Sequence, residues 1–237
     1  MMHRLAEACI HLLYPPLCLH CRQTLEAQCK IFCLQCTTQL ELIDPIDRCP
    51  YCFSSSYCPE QRLCPECYRR PPLLDKIGAT FDYVGPASTL IRQLKYGGQS
   101  YLSQGAGAYL AAQFLQLEWP MPDYIIPVPI SFMHWLDRGF NQSLLLADVV
   151  AEVIHKPVQD ILYRRSGDYS QAGLSRWQRQ ELDGRSIQLK STLDLRDKTL
   201  LLIDDVMTTG TTLRRCAEAL MEGAPARIYG LVLCRAL

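Results

Sequence analysis

No stretch of this sequence approaches the roughly 18 to 20 consecutive apolar residues of a membrane-spanning helix, so insertion in a membrane is not expected. Net charge is missing too: 24 Lys and Arg stand against 24 Asp and Glu, leaving no overall positive field to draw a polyanion. The G-x-x-x-x-G-K-[ST] loop is absent, which excludes the nucleotide hydrolases that cradle phosphates with it. Nor is there an export signal. His3 and Arg4 precede a short apolar stretch, but Glu7 interrupts it and Pro15 and Pro16 end it without a small-residue cleavage site. Met1 to Leu13 therefore reads as a short helix rather than a signal peptide, and a cytoplasmic location is expected.

What the chain has in excess is cysteine at one end. Of 13 cysteines, only Cys216 and Cys234 lie beyond residue 67. Eight of the others form four C-x-x-C pairs: Cys18/Cys21, Cys33/Cys36, Cys49/Cys52 and Cys64/Cys67. A shift of 31 positions carries the first two pairs onto the last two, which marks an internal duplication. A C-x-x-C turn aims two sulfurs at one ion, and two such turns complete a tetrahedral site, so each half is a candidate zinc ribbon. Disulfides or an iron–sulfur cluster are the rivals; the missing export signal disfavours the first, because cytosolic thiols are normally kept reduced. Two structural Zn²⁺ ions are expected, with consecutive pairing favoured over an interleaved one, and His11 and His20 are not needed as ligands. Cys9, Cys29, Cys58, Cys216 and Cys234 read as small buried residues.

Arg69, Arg70, Pro71 and Pro72 form a polar joint, and the expected division is a module over residues 1–72 and a domain over 73–237. The second part alternates strands and helices. Strands are expected at Ile77 to Val84, Tyr124 to Pro127, Val158 to Leu162, Ile187 to Leu189, Thr199 to Ile203 and Arg227 to Cys234. Helices are expected at Ala87 to Leu94, around the stripe Leu102, Ala106, Tyr109, Leu110 and Leu117, from Asn141 through Ile154, and at Thr211 to Glu222. The alternation implies an α/β fold with a doubly wound, mostly parallel sheet.

In such a sheet ligands gather at the carboxyl ends of the strands. After Leu200 to Ile203 come Asp204 and Asp205, whose adjacent charges need a polar or cationic partner on leaving a buried strand. Thr208, Thr209, Gly210, Thr211 and Thr212 then offer hydroxyls and free backbone N–H groups at a helix start, the physical recipe for a phosphate cradle. A plain capped helix would not require two acids followed by T-T-G-T-T.

Residues 200–212 resemble, at every position, the signature with which type I phosphoribosyltransferases bind 5-phosphoribosyl 1-diphosphate (PRPP). The wider layout resembles the ComF/GntX family, competence-related proteins that join a cysteine-rich N-terminus to such a domain. Supporting segments are Gln93-Leu-Lys-Tyr-Gly97, Ile126-Pro-Val-Pro129, Arg138-Gly-Phe-Asn-Gln142, and Gln171-x-x-Leu174 with Arg179. The resemblance implies that Asp204 and Asp205 take the ribose hydroxyls and the Thr208–Thr212 loop the 5-phosphate, with Mg²⁺ bridging ribose and diphosphate. It also places Lys95, Tyr96 and Gly97 at the diphosphate and Arg138 and Gln142 in a central loop. Leu182 stands where the family usually has Asn. The arginines from Arg164 to Arg185 would form a lid over an anionic ligand.

Two functions follow from the resemblance. One is phosphoribosyl transfer to an unidentified acceptor, with Lys95 and Mg²⁺ stabilising the departing diphosphate; the chain ends soon after its last strand, so the zinc module or the 131–142 loop would have to receive the acceptor. The other is a PRPP-responsive accessory in the handling of imported single-stranded DNA. There the ribbons would meet DNA or a partner of the uptake machinery, with Phe32, Tyr51, Phe53, Tyr57 and Tyr68 available to stack bases.

Overall fold

The computed structural model describes residues 15–57, 60, 63–164, 187–190 and 193–236. The expected Met1 to Leu13 helix, Cys9, Cys58, the Gln171-x-x-Leu174 segment with Arg179, and the arginine lid beyond Arg164 lie outside the described residues. Among those described, no helix is long and apolar enough to cross a membrane.

In chain order the elements are α1 (Leu34–Thr37), α2 (Pro65–Arg69), β1 (Lys76–Asp82), α3 (Gly85–Tyr96), α4 (Leu102–Gln116), β2 (Tyr124–Pro127), α5 (Phe132–Arg138), α6 (Gln142–Ile154), β3 (Leu162–Arg164), β4 (Ile187–Leu189), β5 (Thr199–Met207), α7 (Thr211–Leu220) and β6 (Arg227–Arg235). Strands β1, β6, β5 and β2, in that spatial order, form a parallel sheet, and β3 and β4 make a separate antiparallel pair.

Alternation along the strands loads both faces. Leu201, Ile203, Leu231 and Leu233 meet Leu90, Leu94, Leu110, Phe114, Leu146 and Val150 of α3, α4 and α6 on one side. Leu200, Leu202, Ile228 and Val232 meet Leu213, Cys216, Ala217 and Leu220 of α7 on the other. Gly107 lets α4 approach α6: a Cβ there would stand 2.5 Å from Val149 Cβ. This is the doubly wound α/β architecture that the alternation implied.

Three elements differ from expectation. The strand expected at Val158 to Leu162 is one parallel bridge, Val158 to Ile125, after which a tight turn (Ile161 N–H to Gln159 O, 3.0 Å) diverts the chain into β3. Strand β5 runs on past Ile203 to Met207, so both acids belong to it. Helix α5 occupies what reads as a loop, capped by Ser131, whose Oγ accepts from His134 N–H, and closed by Gly139 at φ 78°.

The cysteine-rich segment packs on the sheet domain across residue 72. Leu25, Phe32 and Leu40 join the core on the α3/α4 side, while Ile43 and Phe53 join the other. Its backbone also pairs with β1, the outer strand: Ile43 N–H donates to Thr80 O (3.0 Å), and Ile77 N–H to Tyr51 O (2.8 Å). Arg48 grips Asp82 at 3.1 and 2.7 Å, and His20 Nδ1 lies 2.8 Å from Thr89 Oγ1 on α3.

Candidate functional site

The carboxyl end of β5 gathers the acids, the threonine loop and a cation contributed from another part of the chain. Asp205 is buried, and Lys95, from the last turn of α3, sets its Nζ 2.9 Å from Asp205 Oδ1. Asp204 Oδ1 accepts from Ser143 Oγ at 3.0 Å and from Asp205 N–H at 2.9 Å. The Asp204 carboxyl is pushed up to about 7, first because burial strips it of water and second because the Asp205 charge stands beside it; the two hydrogen bonds and Lys95 pull the other way without prevailing.

Beyond β5, Thr208, Thr209 and Thr211 are exposed, and the two hydroxyls of Thr209 and Thr211 lie 2.8 Å apart. Gly210, at φ 74°, caps α7 without a side chain; the first helical N–H, of Thr211, donates to Thr209 Oγ1 at 3.5 Å, and the N–H groups of Thr212 and Leu213 behind it face the open helix start, where an anion is favoured. Asp204, Val206 and residues 207–213 line a concavity of about 40 Å³ there. The buried Arg235, at the end of β6, donates from Nη1 to Thr208 O at 2.8 Å and pins the loop.

Because β2 pairs with β5, the connection that follows β2 flanks the same end of the sheet. Asn141 ties it down: its Nδ2 donates to Val128 O (3.1 Å) and its Oδ1 accepts from Ser143 N–H (3.0 Å). Arg138 donates to Gln142 Oε1 at 3.0 Å and lies 5.2 Å from the centre of the Tyr96 ring. Gln142 is fully buried, and its Nε2 has no acceptor among the described residues. Gly97 closes α3, its N–H donating to Gln93 O at 2.9 Å. Thus Lys95, Tyr96, Arg138 and Gln142 converge with the acid pair. Ser143 and Arg235 did not stand out in the sequence; the one available signal was their place beside a helix cap and at a strand end.

The cysteines form two clusters in consecutive order: Cys18, Cys21, Cys33 and Cys36, then Cys49, Cys52, Cys64 and Cys67, with the four sulfurs of each within 4.8 Å of one another. The duplication extends to the hydrogen bonds. Cys33 N–H donates to Cys18 Sγ and Cys64 N–H to Cys49 Sγ, and Arg22 and Phe53 hold matching positive φ of 65° and 60°. Cys18 falls to about 6: burial pushes it up, but N–H donors from Cys33, Cys21 and His20 together outweigh that. Cys49 is likewise held below the ordinary thiol value. Four convergent thiols with N–H donors to sulfur suit a tetrahedral thiolate-bound ion such as Zn²⁺. Cys216 and Cys234 are buried and their thiols pushed up by burial. Of the ribbon aromatics, Phe32 and Phe53 are buried in the two cores of the sheet domain and Tyr57 packs on the second cluster, whereas Tyr51 and Tyr68 are exposed.

The phosphoribosyl transferase domain family matches residues 141–237. DNA utilization protein YhgH of Escherichia coli O6:H1 is 29% identical over 232 residues, covering 94% of this chain and 98% of that protein. Competence protein F of Haemophilus influenzae is 29% identical over 225 residues, covering 92% of this chain and 96% of that protein. Among solved structures, the allosteric regulatory enzyme of purine biosynthesis superposes with a TM-score of 0.44 at 17% identity, over 60% of this chain and 30% of that chain. With a phosphoribosyl transferase domain behind two four-cysteine clusters, the chain aligns nearly end to end with competence protein F and YhgH and is a homologue of both.

Proposed function

We propose that the protein binds PRPP at the carboxyl end of β5 and transfers its phosphoribosyl group to an acceptor, releasing diphosphate. The observation that carries this reading is the meeting of a carboxylate pair, an open threonine loop at a helix start and Lys95 at one point. Asp204 and Asp205 hold the ribose hydroxyls, and the N–H and hydroxyl groups of residues 208–212 hold the 5-phosphate. Lys95 and Arg138, with Tyr96 and Gly97 beside them, face the diphosphate side, and a cation there stabilises charge as the C1–O bond breaks. The acceptor's lone pair forms the new bond to C1, its proton passes to solvent, and diphosphate departs with the old bonding pair. Mg²⁺, entering with PRPP, supplies further charge neutralisation on the diphosphate. The two four-cysteine clusters hold structural Zn²⁺.

A second reading is favoured by the names of the relatives, a DNA utilization protein and a competence protein. In it PRPP is an effector, and the protein serves the handling of single-stranded DNA without turnover. Calorimetric titration of the zinc-loaded protein with PRPP and Mg²⁺, with diphosphate release followed over nucleobases and single-stranded DNA, separates the two. Binding with release makes it a transferase, binding without release makes it an accessory, and no binding refutes both.

A further inference from the structure

Helix α5 buries none of its residues, yet Phe132, Met133, Trp135 and Leu136 are large, apolar and 47 to 57% exposed. A contiguous apolar surface of this kind marks a place where something binds. Along one side run planar groups three residues apart. The Phe132 and Trp135 rings lie nearly parallel, 16° apart with centroids at 6.2 Å. Arg138 follows, its guanidinium over the ring of Tyr96, which is 77% exposed. Arg92, one turn before Tyr96 on α3, is also exposed. Helical geometry, at 100° per residue, turns Asp137 to the side opposite Trp135.

From these contacts we infer that α5 and the end of α3 form a binding ridge for single-stranded DNA, which abuts the proposed PRPP site, shares Tyr96 and Arg138 with it, and is separate from the cysteine clusters. From Phe132 to Arg138 the helix rises about 9 Å, which at the 3.4 Å rise per base of a stacked strand accommodates two to three bases. A lone base would use one such platform. Aromatic faces bind successive bases without regard to sequence, and Arg92 and Arg138 supply local positive charge for the phosphates although the whole chain is neutral. The ridge ends at Tyr96, the neighbour of Lys95, so a strand lying on it is led to the acid pair. The ridge gives the DNA-handling reading a place on the fold, and it does not depend on PRPP being bound. The rival occupant is a second copy of this chain, since Trp, Phe, Met and Arg also build protein interfaces.

The test is fluorescence anisotropy of a labelled 20-nucleotide oligo-dT with the full-length, zinc-loaded protein, comparing wild type with Phe132→Ala/Trp135→Ala. Neither side chain is buried, so the variant should fold. It should bind the oligonucleotide about tenfold more weakly or worse, from the loss of two stacking platforms, with PRPP affinity within about twofold of wild type. Equal binding by variant and wild type, or no binding by wild type at low salt, overturns the ridge. So does a wild-type dimer that the variant converts to monomers with oligo-dT binding unaltered. A wild type that binds oligo-dT in a ridge-dependent way but not PRPP supports the ridge and refutes the PRPP reading.

Discussion

Asp204→Asn in the ligand-free protein probes the electrostatics of the site with no substrate present. The Asp204 carboxyl sits at about 7 in the fold, against about 3.9 in an unfolded chain. Between those values the folded protein keeps a proton that the unfolded chain has released, so stability falls as pH rises from about 4 to about 7 and stays low above that. About three units at about 1.4 kcal/mol each set a ceiling near 4 kcal/mol; because the charge is shared with Lys95 and Asp205, about 2 kcal/mol is the working figure. Asparagine retains an oxygen for Ser143 Oγ and Asp205 N–H but carries no charge. The substitution should therefore stabilise the protein at pH 8 by about 2 kcal/mol, a rise of about 4 to 8 °C in melting temperature for a chain of this size. At pH 5.5 the gain should shrink to about half. Calorimetry at pH 5.5, 7 and 8 in magnesium-free buffer reads this directly. A loss of stability at pH 8, or a gain that does not change with pH, would refute the electrostatic account. The same variant should bind PRPP far more weakly, the trade expected where a strained site serves binding.

Lys95→Met removes the cation facing buried Asp205 and should cost about 2 kcal/mol at pH 8 while weakening PRPP binding; unchanged melting and affinity would remove Lys95 from the site. Gly107→Ala forces a Cβ into Val149, and the overpacking of α4 on α6 should cost about 1 to 3 kcal/mol in urea unfolding, with zinc content unaltered. Chelation of zinc should lower the melting temperature of the whole chain in one transition, because Leu40, Ile43 and Phe53 belong to the sheet's two cores; a separate early transition that leaves the main one in place would show the cysteine segment to be independent.

Strands β2 and β4 and the start of α6 were legible in the sequence because apolar periodicity and a cap, Asn141, both pointed to them. The prolongation of β5 was not. An apolar run that meets two acids looks finished, and only Ser143 and Lys95, 61 and 110 positions away in sequence from their partners, make the charges tolerable within a strand. Helix α5 escaped notice because it turns no stripe to the core; its signals were the Ser131 cap and Gly139. The eight cysteines are legible from spacing alone, which favours consecutive grouping and leaves an interleaved one open until the fold decides it, whereas the packing of Phe32 and Phe53 depends on which surface the module covers.

The pairing of Ile43 and Tyr51 with β1 has a consequence for solubility. A parallel sheet ends in strands whose outward N–H and C=O groups are templates for another chain. Here one of those margins is sealed by a segment held in shape by the cysteine clusters. Were the clusters deprived of the Zn²⁺ proposed for them, that margin and the apolar surface beneath it would be uncovered, and copies of the chain would be free to adhere strand to strand.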